Sequence, residues 1–318
     1  MPSPPAGASL WPGRLRLPAI AAPMTSVSTP DLVIAACRAG VIGAFPTHNA
    51  ADPVELHSWL DRIHAALGSG AAPVAANLVV HRSNARRDAD LAVLVERGVE
   101  LVITSVGSPA PVIPALHDAG VPVFADVASL EQCWRALDAG ADGLILLTAG
   151  AGGQTGWANP FAFVRAVRRQ YDGPVTLAGG ISDGRAILAA QVLGADLVYL
   201  GTRFIATDQS GASDDYRAAL VTASLDDVRL SDRVGGIPAS LLASWLDAQD
   251  AGDSADSDGF VQDRLLSNRT AWSAGHSVSG VHRVLTVDEL VDELATEYTA
   301  AERASQSRFS HPEVVSHD

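Results

Sequence analysis

A cluster of glycines at residues 149–160, which read AGAGGQTGWANP, carries the clearest chemical signature of this sequence. It directly follows the aliphatic run at residues 144–147, and Asn159-Pro160 at its end predicts the start of a helix. Glycines let a backbone come very close to a flat or anionic ligand. Gln154 stands where such a loop could carry a catalytic side chain. Because an amide exchanges hydrogen bonds but takes up no proton at neutral pH, the loop predicts close ligand contact without a base.

Two more glycine turns each follow a short aliphatic run. They are Gly179-Gly180 in LAGGISDG and Gly201-Thr202 in YLGTRF. Turns of this kind bind phosphate through backbone N–H groups and helix N-termini, and Thr202 and Arg203 could add a hydroxyl and a charge. Either turn alone is also typical of a simple tight turn. The two together favour a phosphate site.

Histidine is the residue type that could act as a base at neutral pH. His48 in FPTHN and His81 in HRSN both follow predicted strands, and His276 in AGHS is a third candidate. Each of them also fits the simpler interpretation of a polar loop residue. The His, Cys, Asp and Glu residues show no metal-ligand spacing, so we predict no metal site.

The basic residues exclude whole classes of enzyme. All 22 basic side chains are arginine, and lysine does not occur. Schiff-base aldolases, enzymes that use pyridoxal phosphate and Walker-type ATPases all require a lysine. The formal charge of -14 argues against nucleic acid or an anionic membrane surface as a partner. A small molecule is the partner that remains.

The cellular location is predicted from three features that the sequence lacks. No apolar run reaches the roughly 18 residues of a membrane span, and the N-terminus lacks a signal-peptide pattern. Cys37 and Cys133 lack the spacing of a disulfide or metal motif, so we expect free thiols. These features predict a cytoplasmic protein, and no feature indicates an oligomeric state.

Aliphatic runs alternate with helical patterns as far as about residue 225. Eight such runs predict buried parallel strands at residues 19–22, 41–45, 74–79, 101–104, 123–125, 143–147, 175–178 and 197–200. Glycines such as Gly98 and Gly194 stand where helices end, just before the next strand. The pattern predicts a (β/α)8 barrel (a TIM barrel) with a C-terminal insertion and helical segment; a doubly wound sheet is the alternative.

The predicted domain bounds follow from where this pattern holds. Residues 1–14 are expected to be a flexible lead and residues 15–228 the barrel. Residues 229–299 are expected to form a C-terminal insertion, with an acidic flexible stretch at 247–259, and a helix at 287–298 that packs on the barrel. Residues 300–318 are expected to be a disordered tail.

Active sites of such barrels lie where the strands end. The residues at or just after the ends of the first, third, fourth and fifth predicted strands are therefore candidates for ligand contact. These are Ala22, Pro23, Met24, Asn77, Ser105 and Asp126.

An ordered set of motifs resembles the nitronate monooxygenase family, formerly called 2-nitropropane dioxygenases. The motifs are AAPM, NLVVHRSN, GAGGQTGWANPFAFV and AGGISDGRAILAAQVLGADLVYLGTRFIAT, which lie within residues 15–225, and WSAGHSVSGVHRVLTVDELV near the C-terminus. The resemblance implies a barrel that binds FMN and an oxidoreductase that passes electrons from a small carbanion-like substrate to O2. A close relative with the same motifs is the FMN-dependent enoyl-ACP reductase, which implies NAD(P)H-dependent flavin reduction as the alternative. A barrel that binds FMN without turnover is a third reading.

The resemblance also implies roles for individual residues. Ala22, Pro23 and Met24 would lie along the flavin ring and Asn77 would bind its polar edge. Gly152 and Gly153 would pass near the flavin, and Gly179, Gly180, Gly201 and Thr202 would hold the phosphate. Ser273, Ala274 and Gly275 would close over the cofactor. In the resembled family the glycine loop reads AGGH, and its histidine is the proposed base; here Gln154 replaces it. This difference predicts an enzyme that oxidises nitronates and is poor on neutral nitroalkanes, unless Gln154 only shapes the loop.

Overall fold

The computed structural model describes residues 11–249 and 259–309. Eight parallel strands close into a barrel in the order β1-β2-β3-β4-β5-β6-β8-β9, which confirms the predicted fold and excludes the doubly wound sheet. The barrel strands are β1 Ala19–Ala21, β2 Ile42–Pro46, β3 Val74–Val79, β4 Leu101–Ser105, β5 Val123–Val127, β6 Gly143–Leu147, β8 Val175–Ala178 and β9 Leu197–Leu200.

Helices alternate with these strands and cover the barrel. They are α1 Pro30–Ala39, α2 Pro53–Ala66, α3 Arg87–Arg97, α4 Ile113–Asp118, α5 Leu130–Asp138, α6 Pro160–Arg168, α7 Gly184–Leu193, α8 Thr202–Ile205 and α9 Asp214–Thr222. The short turn η1 Thr47–Asn49 lies between β2 and α2. Local signals set the helix ends: Thr29 caps α1 by accepting the Leu32 N–H, and Gly98 and Gly194 end α3 and α7 with φ of +68° and +115°.

Alternation along the strands separates two kinds of side chain. Residues such as Ile20, Ile103 and Ile145 fill the barrel, and Trp11 packs near Phe124 with ring centroids 6.4 Å apart. Since successive side chains of a strand point to opposite faces, the residues two positions beyond these apolar ones also point inward. At the carboxyl ends of the strands these inward positions are mostly polar or small, with Leu147 as an exception, and there the core gives way to a cavity.

Most of the remaining elements cover the carboxyl face of the barrel. A small antiparallel sheet has the order β10-β11-β7 and contains β7 Gly153–Gln154, β10 Val228–Ser231 and β11 Ala239–Leu242. The other elements are η2 Leu225–Asp227, α10 Ala243–Ala248, α11 Gln262–Ser267, η3 His276–Gly280 and α12 Val287–Phe309. The last helix, α12, packs against the barrel helices α7 and α1.

Two predicted boundaries are wrong. Trp11 is buried and Arg14 forms an ion pair with Glu100, so the N-terminal lead is anchored to the barrel at residues 11–14. The helix predicted to end at residue 298 continues as α12 to Phe309, so residues 300–309 are helical and not a disordered tail. Residues 1–10, 250–258 and 310–318, where the other flexible segments were predicted, lie outside the described residues.

Candidate active site

A cavity at the carboxyl end of the barrel brings together nearly all of the predicted site residues. Gln154 and His48 line it. So do the predicted cofactor-contacting residues, which are Ala22, Pro23, Met24, Asn77, Ser105, Asp126, Gly152, Gly153, Gly179, Gly180, Gly201, Thr202 and Ser273. The convergence follows from the barrel, because parallel strands place all their carboxyl ends on one face.

The glycine loop is held between the barrel and the C-terminal segment. Its strand β7 pairs with β11, with Gln154 opposite Ala239. A Cβ added at Gly152 would lie 2.7 Å from the Gly275 nitrogen, and the His276 N–H donates to the Gly150 carbonyl at 2.9 Å. Gly152 is therefore required for close packing of two backbones, a reason that the sequence did not indicate.

Gln154 is half-buried at the edge of the cavity. Pairing with β11 fixes its backbone, and its side-chain amide makes no hydrogen bond to another described residue. An amide donates through its nitrogen and accepts through its oxygen. Gln154 can therefore bind a polar or anionic substrate but cannot remove a proton from one.

The two turns predicted to bind phosphate face the cavity. Gly180 has φ of +71°, and the position of a Cβ there is surrounded by open space, which leaves room for a ligand against the backbone. The Thr202 hydroxyl accepts the buried Gly275 N–H at 2.9 Å, and its own hydrogen remains available as a donor. The expectation for Arg203 is wrong: its guanidinium donates to the carbonyls of Ser182 and Gly280, away from the cavity.

His48 is buried in η1 and borders the cavity. Its Nε2 lies 2.9 Å from the Thr25 hydroxyl, and its backbone carbonyl accepts from the Arg269 guanidinium. Burial, and then the charges of Arg269 and Arg86, lower the pKa of His48 to about 4. His48 is therefore neutral at physiological pH and a weak base.

The other two histidine candidates do not line the cavity. The His81 ring is held by the Ser83 hydroxyl at 2.7 Å and by an edge-to-face contact with Phe260. His81 thus supports a residue of the cavity wall. His276 is exposed and packs against the far side of Gly150.

Polar groups at the bottom of the cavity fall into two classes. Asn77 and Ser105 bond to each other: the Asn77 amide donates to the Ser105 hydroxyl at 3.1 Å and to the Ile103 carbonyl at 3.2 Å. Asp126 Oδ1 and Tyr199 Oη are buried and have no partner among the described residues. Burial raises the pKa of Asp126 to about 8.

One wall of the cavity comes from the C-terminal segment, and most residues of this wall were not predicted from the sequence. Its apolar part is Val234, Ile237, Phe260 and Leu265. Arg269 is the sole Arg among the described lining residues. A segment with no core-forming periodicity gave no local signal for this placement, since its position depends on the pairing of β11 with β7. Tyr199 could have been found, because it stands two residues after inward-facing Leu197.

The described parts of the chain show no grouping of three or more His, Cys, Asp or Glu side chains that could hold a metal ion. Across residues 11–249 and 259–309, no helix combines the length and apolar character needed to cross a membrane. Cys37 and Cys133 are free and buried, as predicted.

Comparison with known proteins assigns the fold and the motifs to one family. The profile of the family described as nitronate monooxygenase matches residues 73–297. A nitronate monooxygenase of Paraburkholderia phytofirmans is 31% identical over 64% of this chain and 67% of its own length. A dehydrogenase of Rhodococcus jostii, named for a hydroxylated methyl-oxo-octahydro-indene carboxyl-CoA, is 28% identical over 71% of this chain and 62% of its own length. The matched regions thus span about two thirds of these relatives.

A solved structure resembles nearly the whole chain. Nitroalkane oxidase from Streptomyces ansochromogenes matches with a TM-score of 0.78 and 27% identity, over 94% of this chain and 99% of its own. The similarity includes the C-terminal segment that completes the cavity, since the match covers almost all of both chains.

Proposed function

The chain belongs to the nitronate monooxygenase family, whose members are flavin-dependent oxidoreductases, and on that premise we propose that it uses FMN to oxidise alkyl nitronates, or a similar small carbanionic substrate, with O2 as electron acceptor. The observation that supports this proposal is the cavity itself. The cavity contains a glycine-lined turn suited to phosphate and, at its bottom, polar groups without a partner. Among the described residues, its wall carries no strong base.

The residues present fit a flavin mononucleotide. Gly180 leaves open space beside a left-handed backbone, and with Gly179, Gly201 and Thr202 it would hold the phosphate without a lysine. Ala22, Pro23 and Met24 offer a largely apolar surface for the ring. Once bound, FMN supplies the group that accepts electrons from the substrate. Ser273 lies opposite the glycine loop and would help to close the site.

The lack of an unprotonated strong base among the described lining residues at neutral pH favours the ionic form of the substrate, since burial raises the pKa of Asp126 to about 8 and keeps that carboxyl protonated. A neutral nitroalkane must lose an α-proton before oxidation, and a nitronate has already lost it. Gln154 takes up no proton, and His48 has its pKa lowered to about 4 by burial. We therefore propose that Gln154 binds the anionic group through its amide and that the enzyme prefers pre-formed anions.

Charge and shape support the same class of substrate. Arg269 borders the cavity and would attract an anion entering beside Gln154. Val234, Ile237 and Phe260 line the same cavity and would contact an apolar substituent. We propose that the substrate has an anionic reacting group and an apolar body.

The proposal is tested by initial rates of O2 consumption with nitroethane and with its nitronate. We expect the wild-type enzyme to prefer the nitronate by at least tenfold, because a positioned base contributes about 10²–10⁴-fold to proton transfer. Gln154→His should increase the rate on neutral nitroethane, and Gln154→Ala, the matched control, should not. Equal wild-type rates on both forms would overturn the preference for anions.

Two alternatives are distinguished by anaerobic mixing with NAD(P)H. Bleaching of the flavin by NAD(P)H, with no reaction of nitronate, would indicate a reductase of the enoyl-ACP type. Binding of FMN with reduction by neither donor would indicate a non-catalytic flavoprotein. The Rhodococcus relative, named for a carboxyl-CoA, adds a CoA thioester as a second substrate class to assay. A cytoplasmic location stays a prediction.

A further inference from the structure

Two unpartnered polar groups at the bottom of the cavity identify a further ligand contact. Asp126 Oδ1 on β5 and Tyr199 Oη on β9 have no hydrogen-bond partner among the described residues. These two atoms are inaccessible to solvent, and both residues, which are half-buried, line the cavity. An unsatisfied buried polar atom costs about 1–3 kcal/mol. Such a pair, on residues that line a cavity, marks a place where a ligand can complete the bonding.

The neighbouring polar residues are already satisfied. The side-chain amide of Asn77 donates its two hydrogens to the Ser105 hydroxyl and the Ile103 carbonyl. The Ser105 hydroxyl in turn donates to the side-chain oxygen (Oδ1) of Asn77 at 3.4 Å. Among the described residues that line the cavity, the buried atoms without a partner are Asp126 Oδ1, Tyr199 Oη, His48 Nδ1 and Arg269 Nε, and of these Asp126 and Tyr199 lie on barrel strands.

Asp126 has no cation beside it. The other titratable or charged groups that line the cavity are His48, Tyr199, Tyr216 and Arg269. None of them lowers the pKa of Asp126, which burial alone raises to about 8. At neutral pH the carboxyl group is therefore protonated and carries one O–H donor. Tyr199, whose pKa burial raises further, also remains a donor.

We propose that Asp126 acts as a neutral hydrogen-bond donor to the ring of the bound flavin, with the Tyr199 hydroxyl as a second donor. This inference depends on FMN being the cofactor, and it gives the flavin ring two hydrogen-bond donors. The flavin ring presents carbonyl oxygens and nitrogens that accept hydrogen bonds. A neutral acid can donate to them, whereas an ionised carboxylate would turn lone pairs towards them. In a chain without lysine, these donors stand in for the cation that many flavin barrels place near the ring.

The test is the pH dependence of FMN affinity, measured from the quenching of flavin fluorescence between pH 7.5 and 9.5. Flavin binds the protonated form of Asp126, so affinity is full below the pKa of the free protein and is lost as pH rises through it. With a pKa of about 8, affinity should fall roughly 25-fold across this range. Asp126→Asn keeps a donor that does not titrate, so its affinity should stay constant within about twofold.

Tyr199→Phe is the matched control, because it removes one donor and leaves Asp126 in place. Its affinity should be lower at every pH, and the pH dependence of the wild type should remain. Any titration of FMN itself is common to all three proteins. A parallel loss of affinity in wild type and Asp126→Asn, or a flat wild-type profile, would overturn the proposal.

A second measurement covers the case in which Asp126→Asn does not fold. Infrared difference spectra of the wild-type protein should show a protonated carboxyl that is lost between pH 7 and 9.5 without flavin and retained with it. Loss of the same band in both states would contradict the proposal. These readouts do not involve turnover. A protein that binds FMN in this way but oxidises no nitronate would refute the proposed function and leave the contact standing.

Discussion

The hydroxyl of Thr202 connects the end of the barrel to the segment that covers the cavity. It accepts the buried Gly275 N–H at 2.9 Å. Thr202→Val removes this acceptor while keeping the shape of the side chain. A buried donor left without a partner costs about 1–3 kcal/mol. The segment does not detach, because Ala274 still donates to the Ser240 carbonyl at 3.2 Å and His276 to the Gly150 carbonyl at 2.9 Å.

The same substitution removes a proposed donor to the FMN phosphate. A hydrogen bond to a charged group contributes about 1.5–3 kcal/mol, which corresponds to a roughly 10- to 150-fold weaker affinity. Urea unfolding of the flavin-free protein measures the first effect, and fluorescence titration with FMN measures the second. Thr202→Ser, which retains the hydroxyl, should lose little in either assay. Equal unfolding midpoints for the Val and Ser variants would refute the reasoning about Gly275.

Two further predictions concern stability. Burial lowers the pKa of His48 from 6.5 to about 4, so the wild-type protein loses folding stability as pH falls from about 6.5 to 4. His48→Gln removes this titration. Over that pH range its free energy of unfolding, measured with urea, should fall by up to about 3 kcal/mol less than that of the wild type. Half-buried Arg168 and buried Asp196 form an ion pair beneath β8 and β9, so Asp196→Asn should cost about 3 kcal/mol, because the guanidinium keeps its bonds to backbone carbonyls but loses its counter-charge. Glu131→Gln, which breaks an exposed pair with Arg135, should cost less than about 0.5 kcal/mol in the same assay and serves as its control.

The barrel could be predicted because its signals are local. Each aliphatic run is long enough for one strand, and each helix ends at a residue, such as Gly98, that favours a left-handed backbone. Strand ends then determine the active face, so residues as far apart as Ala22 and Ser105 could be assigned to one cavity. Topology, rather than any one motif, brings them together.

The wall of the cavity could not be predicted, because long-range pairing creates it. Arg269 contacts the carbonyl of His48, which is more than two hundred residues away in sequence. The sequence predicted that the backbone at Gly152 lies close to a ligand. In the structure the backbone of Gly275 fills the space where a Cβ of residue 152 would lie. Hydrogen bonding also separated residues that look equivalent in the sequence. Asn77 is satisfied by its neighbours, whereas Asp126, at a similar strand end, is not.

The reduction of bound FMN by a nitronate is the most direct test of the central claim. The FMN-loaded protein is mixed anaerobically with an alkyl nitronate, and the oxidised-flavin absorbance near 450 nm is followed over time. We expect this absorbance to be lost, and we expect the neutral nitroalkane at the same concentration to reduce the flavin much more slowly. An absorbance that stays constant with the nitronate would contradict the proposed function.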